Sequence, residues 1–375
     1  MEKKILSLCM PTYGRHECVQ RALENYEKIL GETGLGGKVE LCISDNNSTD
    51  ETKRIVEKFA ARGKISIRYA KNEGYFGSYD RNIVRACRLA GGEYLHFVSN
   101  EDIYDAAALK NIVRRLEDDK PDIIVVVSYN KPFMPALGKL PDTVGSADEF
   151  IRLAFSKMGS ELGYFVGFCW YVLKRQDFLE FLPIADRNEY LYRCHIIHTP
   201  LFLLALKKSK KMIVLQDDYR AKGVENKPDV EGFNTPENNA RIYYNLYFDI
   251  VRKTRELGII SGAEYEYFRK NFFWYLLANM FKLRTRMYPW LYYAQRGSIL
   301  KNIEPFEKSC HGLKLAFFRF YAWLLFCTPI PFHLVYRAFI FYKRSIKKEQ
   351  REDYHEFYRE KLEKKDGKWV KNEFA

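Results

Sequence analysis

Residues 5–15 read Ile-Leu-Ser-Leu-Cys-Met-Pro-Thr-Tyr-Gly-Arg, a short apolar run that meets Pro11 and then a polar turn. Bounded this way, Ile5 to Met10 predicts a buried strand. Residues 16–30 follow with helical spacing at Cys18, Ala22, Tyr26 and Ile29. The alternation then repeats. Val39–Ser44, Ile65–Ala70 and Tyr94–Val98 read as strands, and Thr49–Ala61 and Tyr79–Leu89 as helices. A βαβαβαβ order predicts an α/β fold whose mostly parallel sheet is flanked by helices. Ligands of such sheets bind beyond the carboxyl ends of the strands, so the residues just after each strand carry the information.

Further along, a helix is predicted over 106–118, a buried strand over 123–128 and a Pro- and Gly-containing loop over 131–146. Strands at 165–173 and 212–216 enclose a helix at 199–208. Asn226 to Asn239, with Pro228, Gly232 and Pro236, marks the boundary between a catalytic domain, 1–236, and a C-terminal region, 237–375, read as helical to its end. The chain of 375 residues is 47% hydrophobic, which excludes a disordered or low-complexity protein. Its net charge of +13 is unevenly spread: residues 1–236 contribute +2 and residues 237–375 contribute +11, together with 33 of the 59 aromatics. That pairing suits an anionic surface. Eight scattered cysteines without C-x-x-C spacing, and no recognisable leader, make a reducing cytosol the simplest compartment.

The strand ends are polar in an ordered way. Strand one ends in Pro11-Thr12-Tyr13-Gly14-Arg15 and strand two in Ser44-Asp45-Asn46-Asn47-Ser48-Thr49-Asp50-Glu51-Thr52. Strand three ends in Lys71-Asn72-Glu73-Gly74, the next helix carries Arg81-Asn82, and strand four ends in Ser99-Asn100-Glu101-Asp102. This set resembles the family 2 glycosyltransferases of GT-A fold, whose pieces read P-T-Y-N-R, D-N-x-S-x-D-x-T, N-x-G, R-N and D-x-D. The likeness covers about residues 4–220 and is nearest to the abequosyltransferase-like branch.

The resemblance implies a Rossmann-like nucleotide-sugar domain that performs an inverting sugar transfer. Asp45 at a strand end can accept the N3–H of a uracil-like base or cap its own turn. Thr12 and Tyr13 line the base pocket, Tyr13 by stacking, and Arg15, Asn72 and Glu101 complete the donor-binding candidates, Asn72 with Gly74 also shaping a turn. Arg81 offers a fork to phosphate oxygens. Asp102, as the last acid of the D-x-D piece, is the expected contact of a divalent metal, Mn²⁺ or Mg²⁺, which hard oxygen ligands suit. Asn100 departs from the pattern by replacing its first acid. Ser48 and Glu51 fit a capping box.

An inverting transfer also needs a base for the acceptor hydroxyl. Counting back from the last core strand leads to His198, with His195 beside it; Asp177, Asp186 and Glu189 are rivals, and Asp217 or Arg220 could close over the diphosphate. Histidine titrates in the range this role requires.

Between Arg319 and Arg337 seventeen residues lack any Asp, Glu, Lys or Arg, but Pro329 and Pro331 interrupt them. With Trp323, Phe326, Phe339, Phe341 and the basic cluster Lys343-Arg344, they predict helices lying in a headgroup plane. Expected partners are therefore a UDP-type nucleotide sugar, a saccharide acceptor carried on a lipid, and an anionic membrane surface on its cytoplasmic side, with no nucleic acid. Two other classes compete: a non-catalytic membrane- or polyanion-binding protein, and a nucleotidyltransferase. The second usually shows a Gly-rich phosphate loop after strand one, which Pro11 to Arg15 lacks.

Overall fold

The computed structural model describes residues 4–100, 104–126, 143–146, 149–150, 171–194, 196–215, 247–266, 268–269, 277, 300–301, 304, 311–326, 362–365 and 368–371. Its framework is β1 (Leu6–Thr12), α1 (His16–Thr33), β2 (Val39–Asp45), α2 (Thr52–Ala61), β3 (Ser66–Lys71), α3 (Tyr79–Arg88), β4 (Tyr94–Phe97), α4 (Ala106–Asp119) and β5 (Ile123–Val126). There follow β6 (Thr143–Val144), β7 (Tyr171–Lys174), α5 (Arg175–Asp186), α6 (His198–Lys208) and β8 (Met212–Leu215). Helices α7 (Tyr247–Glu256) and α8 (Gly312–Phe326) and strands β9 (Leu362–Lys365) and β10 (Lys368–Lys371) come last.

The eight-stranded sheet runs β3-β2-β1-β4-β7-β5-β8-β6. All pairs from β3 to β4 are parallel, as is β5 with β8. β7 enters antiparallel between β4 and β5, and β6 lies antiparallel on β8. The sheet is thus mixed, and the loop expected over 131–146 contains a two-residue strand. Beyond residue 237 the helical expectation fails at the end of the chain, where β9 and β10 pair as an antiparallel ribbon. The two residues between them are Asp366-Gly367, a strong hairpin signal in the sequence.

Every residue of β1 and β2 is buried, because both faces of a central parallel strand are covered by helices. β1 does not stop at Pro11. Its register with β4 ends at Cys9 opposite Phe97, whereas that with β2 continues through Pro11 and Thr12. A residue without an N–H is tolerated where only one neighbour pairs. Helix α1 turns Val19, Ala22, Leu23, Tyr26, Ile29 and Leu30 inward, the stripe the spacing predicts.

After β1 the chain winds outward through β2 to β3, then returns to the other side of β1 for β4. This reversal is a topological switch point, and the splayed loops there leave a crevice beyond the carboxyl ends of β1 and β4.

Candidate active site

Two tight turns frame the crevice. Gly14 and Arg15 after β1 and Asn47 after β2 all have positive φ. Arg15 holds this conformation without being glycine, which costs roughly 1–2 kcal/mol and is met at functional rims. The turns are tied to each other: Gly14 N donates to Ser48 Oγ at 2.8 Å, and His16 N donates to Asp50 Oδ2 at 3.0 Å. Asp50 also accepts from Thr52 N at 3.1 Å. Burial pushes the Asp50 carboxyl up, but hydrogen bonds from Thr52 and His16 outweigh it and hold the group below its usual range.

The capping box expected of Ser48 and Glu51 does not form. Ser48 spends its hydroxyl on Asp45 Oδ1, at 2.5 Å, and α2 starts only at Thr52. Glu51 pairs with Arg54 instead.

Asp45 is fully buried. Its Oδ1 accepts from Ser48 N at 2.8 Å as well as from the hydroxyl, and its Oδ2 accepts from Tyr69 Oη at 2.8 Å. Burial, then this carboxylate, push the Tyr69 phenol up, so it stays a donor. Asp45 therefore caps its own turn, while a carboxylate with three donors keeps capacity for another.

Behind the turns lies a line of buried side-chain amides that connects all four strand ends. Asn46 Oδ1 accepts from Phe76 N at 2.9 Å and from Asn72 Nδ2 at 3.3 Å. Asn72 Nδ2 also reaches Asn82 Oδ1 at 3.5 Å, and Asn82 Nδ2 donates to the Thr12 carbonyl at 3.0 Å. Across the switch point, Asn100 Nδ2 donates to Thr12 Oγ1 at 2.9 Å. Such connected polar networks fix geometry where a buried amide left alone would be expensive. Thr12, Asp45 and Asn72 are thus brought together, with Asn46, Asn82 and Asn100 as members of the same rim. Asn46 and Asn82 carry no periodicity to mark them; their signal was only their place in the strand-end motifs.

Tyr13 is 54% exposed above this rim, and Arg15 caps α1. Arg81 points to the turn at Glu189–Arg193: its guanidinium pairs with Glu189 and lies 4.6 Å from the Tyr192 ring centre. That hydrogen bond holds the Glu189 carboxyl below its usual range. Of the other rivals, Asp186 accepts from Arg88 at 2.8 Å and from Tyr192 Oη. Asp177 sits 3.5 Å from Lys208, and burial pushes its carboxyl up.

His198 opens α6 and is buried. Two contacts fix the start of the helix: Tyr171 Oη donates to the His198 carbonyl at 2.5 Å, and the N–H of the preceding Ile197 donates to Asp80 Oδ1 at 3.0 Å. Tyr171 starts the antiparallel β7, so it stands beside the carboxyl end of β4 and brings His198 to the same end of the sheet. Sequence reasoning missed Asp80, a buried carboxylate one residue before Arg81. His195, Glu101, Asp102, Asp217 and Arg220 lie outside the described residues. Among the described residues no group of three or more His, Cys, Asp or Glu converges to hold a metal.

Residues 7–177 match the model of glycosyl transferase family 2. Over this stretch, just under half of the chain, the strands from β1 to β7 and their rim resemble a family 2 glycosyltransferase domain, and the sheet has the GT-A-like form. Among relatives, the abequosyltransferase RfbV of Salmonella typhimurium is 30% identical over 119 residues, 32% of this chain and 34% of that protein. The poly(ribitol-phosphate) beta-N-acetylglucosaminyltransferase TarP of Staphylococcus aureus is 25% identical over 124 residues, 32% of this chain and 36% of that protein. The match spans about a third of the length of either. In three dimensions, residues 1–349 of S. aureus TarS, solved in complex with UDP-GlcNAc, superpose with a TM-score of 0.57 at 15% identity, covering 99% of this chain and 98% of that one. At that identity the likeness is one of fold.

Proposed function

We propose that this protein is an inverting glycosyltransferase that takes a sugar from a nucleotide-diphosphate sugar, UDP-type by preference, to a hydroxyl of a saccharide acceptor in surface polysaccharide or glycan assembly. The observation that carries this reading is the rim itself. Five donor-site motif pieces, from Thr12 to Asn100, fold onto one switch point and are joined by one amide network. The names of relatives add support: RfbV transfers abequose, and TarS was solved with UDP-GlcNAc.

In this reading Thr12, Tyr13, Arg15, Asp45, Asn72, Arg81 and Glu101 bind the donor. The donor set suits a hard cation, since Glu101 and Asp102 follow directly on Asn100, which is pinned to Thr12. Bound there by Asp102, Mn²⁺ or Mg²⁺ would offset the charge that develops on the departing diphosphate. His198 takes the acceptor proton, its carbonyl held by Tyr171 and the preceding Ile197 N–H by Asp80, and His195 is the alternative.

The deciding experiment is thermal stabilisation by UDP with Mn²⁺ or Mg²⁺, followed by a donor-hydrolysis screen for released UDP. Stabilisation that needs the metal and disappears in Asp102→Ala is expected. A chain that no nucleoside diphosphate stabilises would be a binding protein instead, and release of pyrophosphate would identify a nucleotidyltransferase.

The C-terminal region is proposed to rest on the anionic cytoplasmic face of a membrane, which would place the site near a lipid-linked acceptor. Helix α8 supports this with Leu313, Phe317, Phe320 and Trp323 exposed on one side and Phe318 and Ala322 buried on the other. An exposed apolar stripe flanked by Lys314 and Arg319 matches interfacial burial. Among the described residues no helix is long and apolar enough to cross a bilayer. Sedimentation with vesicles containing an anionic lipid should be lost in Phe317→Asp/Phe320→Asp. Equal sedimentation of the variant would remove α8 from the interface.

A further inference from the structure

Among the described residues the large exposed apolar side chains, Leu179 on α5 apart, gather on α8 and around the rim, where Tyr13, Tyr75, Phe76 and Tyr79 stand in solvent. At the rim two of these rings touch. Tyr13 and Tyr75, 54% and 59% exposed, have ring centres 4.6 Å apart with planes inclined at 39°. A flat ring inserted between them would need the centres about 7 Å apart, twice an ordinary contact distance. The pair is therefore closed, with Tyr75 covering a face of Tyr13.

The backbone that carries Tyr75 is fastened on both sides. Asn72 N donates to the Asp45 carbonyl at 2.8 Å, Phe76 N to Asn46 Oδ1 at 2.9 Å, and Ser78 Oγ to the Tyr192 carbonyl. Phe76 and Asn72 thus hang on the same residues that build the donor rim. With its neighbours held, Tyr75 can leave Tyr13 by rotation of its side chain, without opening of the loop.

We infer that Tyr75 occupies the stacking face of Tyr13 that the nucleobase of the donor takes up, so that donor binding requires Tyr75 to turn away. This rests on the reading of the rim as a nucleotide site. The chemistry is like for like: a base and a phenol ring both offer a π-face, and stacking tolerates any base. The fraction of molecules with Tyr75 displaced scales the apparent affinity, as for any site whose competent state is a minor one. Tyr75 is in this sense an affinity-setting residue; the base is read elsewhere, at Asp45.

The test compares wild type, Tyr75→Ala and Tyr75→Phe for binding of UDP in the presence of Mg²⁺, with CDP, GDP and dTDP in parallel, by calorimetry and stopped-flow mixing. Tyr75→Ala is expected to bind UDP about two- to tenfold more tightly, the range an aromatic pair contact commands. The gain should sit in a faster association rate, and Tyr75→Phe, which keeps the ring, should behave like wild type. Unchanged or weaker binding by Tyr75→Ala, while wild type binds normally, overturns the inference and leaves the transferase reading intact. Absence of binding by wild type for all four nucleotides overturns both.

Discussion

At the amino ends of the strands, the buried Glu40 of β2 gathers everything around it. Its Oε1 accepts from Ser7 Oγ at 2.7 Å, Gly91 N at 2.6 Å and Gly92 N at 3.1 Å, and its Oε2 accepts from Arg68 Nε at 2.8 Å. At the carboxyl ends of the same strands, neutral amides form the network, the turns adopt left-handed backbone and aromatic rings stand in solvent. One end satisfies a buried charge completely with groups of the chain itself. The other also buries a carboxylate, Asp45, but links its strand ends through neutral amides, two of whose contacts stretch to 3.3 and 3.5 Å, and exposes surface. The difference separates a latch, which stability explains, from a rim whose strain and exposure call for a ligand.

Removing the latch should have the largest effect on stability. Glu40→Ala leaves the Gly91 N–H and the Ser7 hydroxyl short of an acceptor and Arg68 without its carboxylate, while Gly92 N keeps Ser7 Oγ at 2.9 Å, and urea unfolding should show a loss of about 3 kcal/mol. UDP affinity of the folded protein should stay at the wild-type value. The latch also has a pH signature. Burial pushes the Glu40 carboxyl up, but the bonds from Ser7, Gly91 and Arg68 outweigh it, so the folded group titrates below its ordinary range. Its contribution is thus complete above the unfolded-state value of about 4.3 and declines as the pH falls through the folded-state value. Glu40→Gln should therefore lose less stability than wild type as the pH falls below about 4.3.

A smaller effect is expected from Gly92, which is glycine for want of space. A Cβ there would lie 2.7 Å from Ser7 Oγ and 2.9 Å from Ser7 N, and the backbone atom cannot step aside. Gly92→Ala should cost about 2 kcal/mol by overpacking, read as a lowered melting temperature. Gly77, at the rim, makes the contrast. A Cβ meets nothing within 4 Å there, and its φ of +62° is what favours glycine. Gly77→Ala should therefore cost only about 1 kcal/mol.

How much of this was legible depended on whether the residues act along the chain or across it. The alternation of strands and helices to β4 is a pattern of burial that recurs locally, and the strand bounds follow it to within a few residues. Thr12, Asp45 and Asn72 stood out because strand ends are where an α/β sheet keeps its ligands. The placement of β7 between β4 and β5 left no such trace, since an antiparallel insertion reads like any buried strand. The Ser48–Glu51 capping box was misread because the spacing was right but Asp45, three residues upstream, offered the hydroxyl a charged acceptor. Asn46 and Asn82 are ten or more residues from most of their partners, and amides pair across such distances without any period. Asp366-Gly367 is the opposite case: a local hairpin signal stands in the sequence, inside a region whose wider pattern reads as helical.

The rim amides carry the smallest expected cost in stability. In Asn82→Ala the Thr12 carbonyl loses one donor but keeps the other, Asn46 N at 2.9 Å. The loss should therefore be about 1 kcal/mol, the net worth of an ordinary hydrogen bond. Donor binding should respond more strongly, because Asn82 ties α3 to the strand end on which Thr12 meets Asn100. A weakening of UDP affinity by about tenfold, roughly 1.4 kcal/mol, is expected by calorimetry on a protein that still melts near the wild-type temperature. That combination is the reverse of the one expected for Glu40→Ala, where stability falls and affinity holds. If Asn82→Ala instead lowered stability by as much as Glu40→Ala and left UDP binding unchanged, the rim would be a second latch. The contrast between the two ends of the sheet would then be one of chemistry alone, charge against amide, with no bearing on where the donor sits.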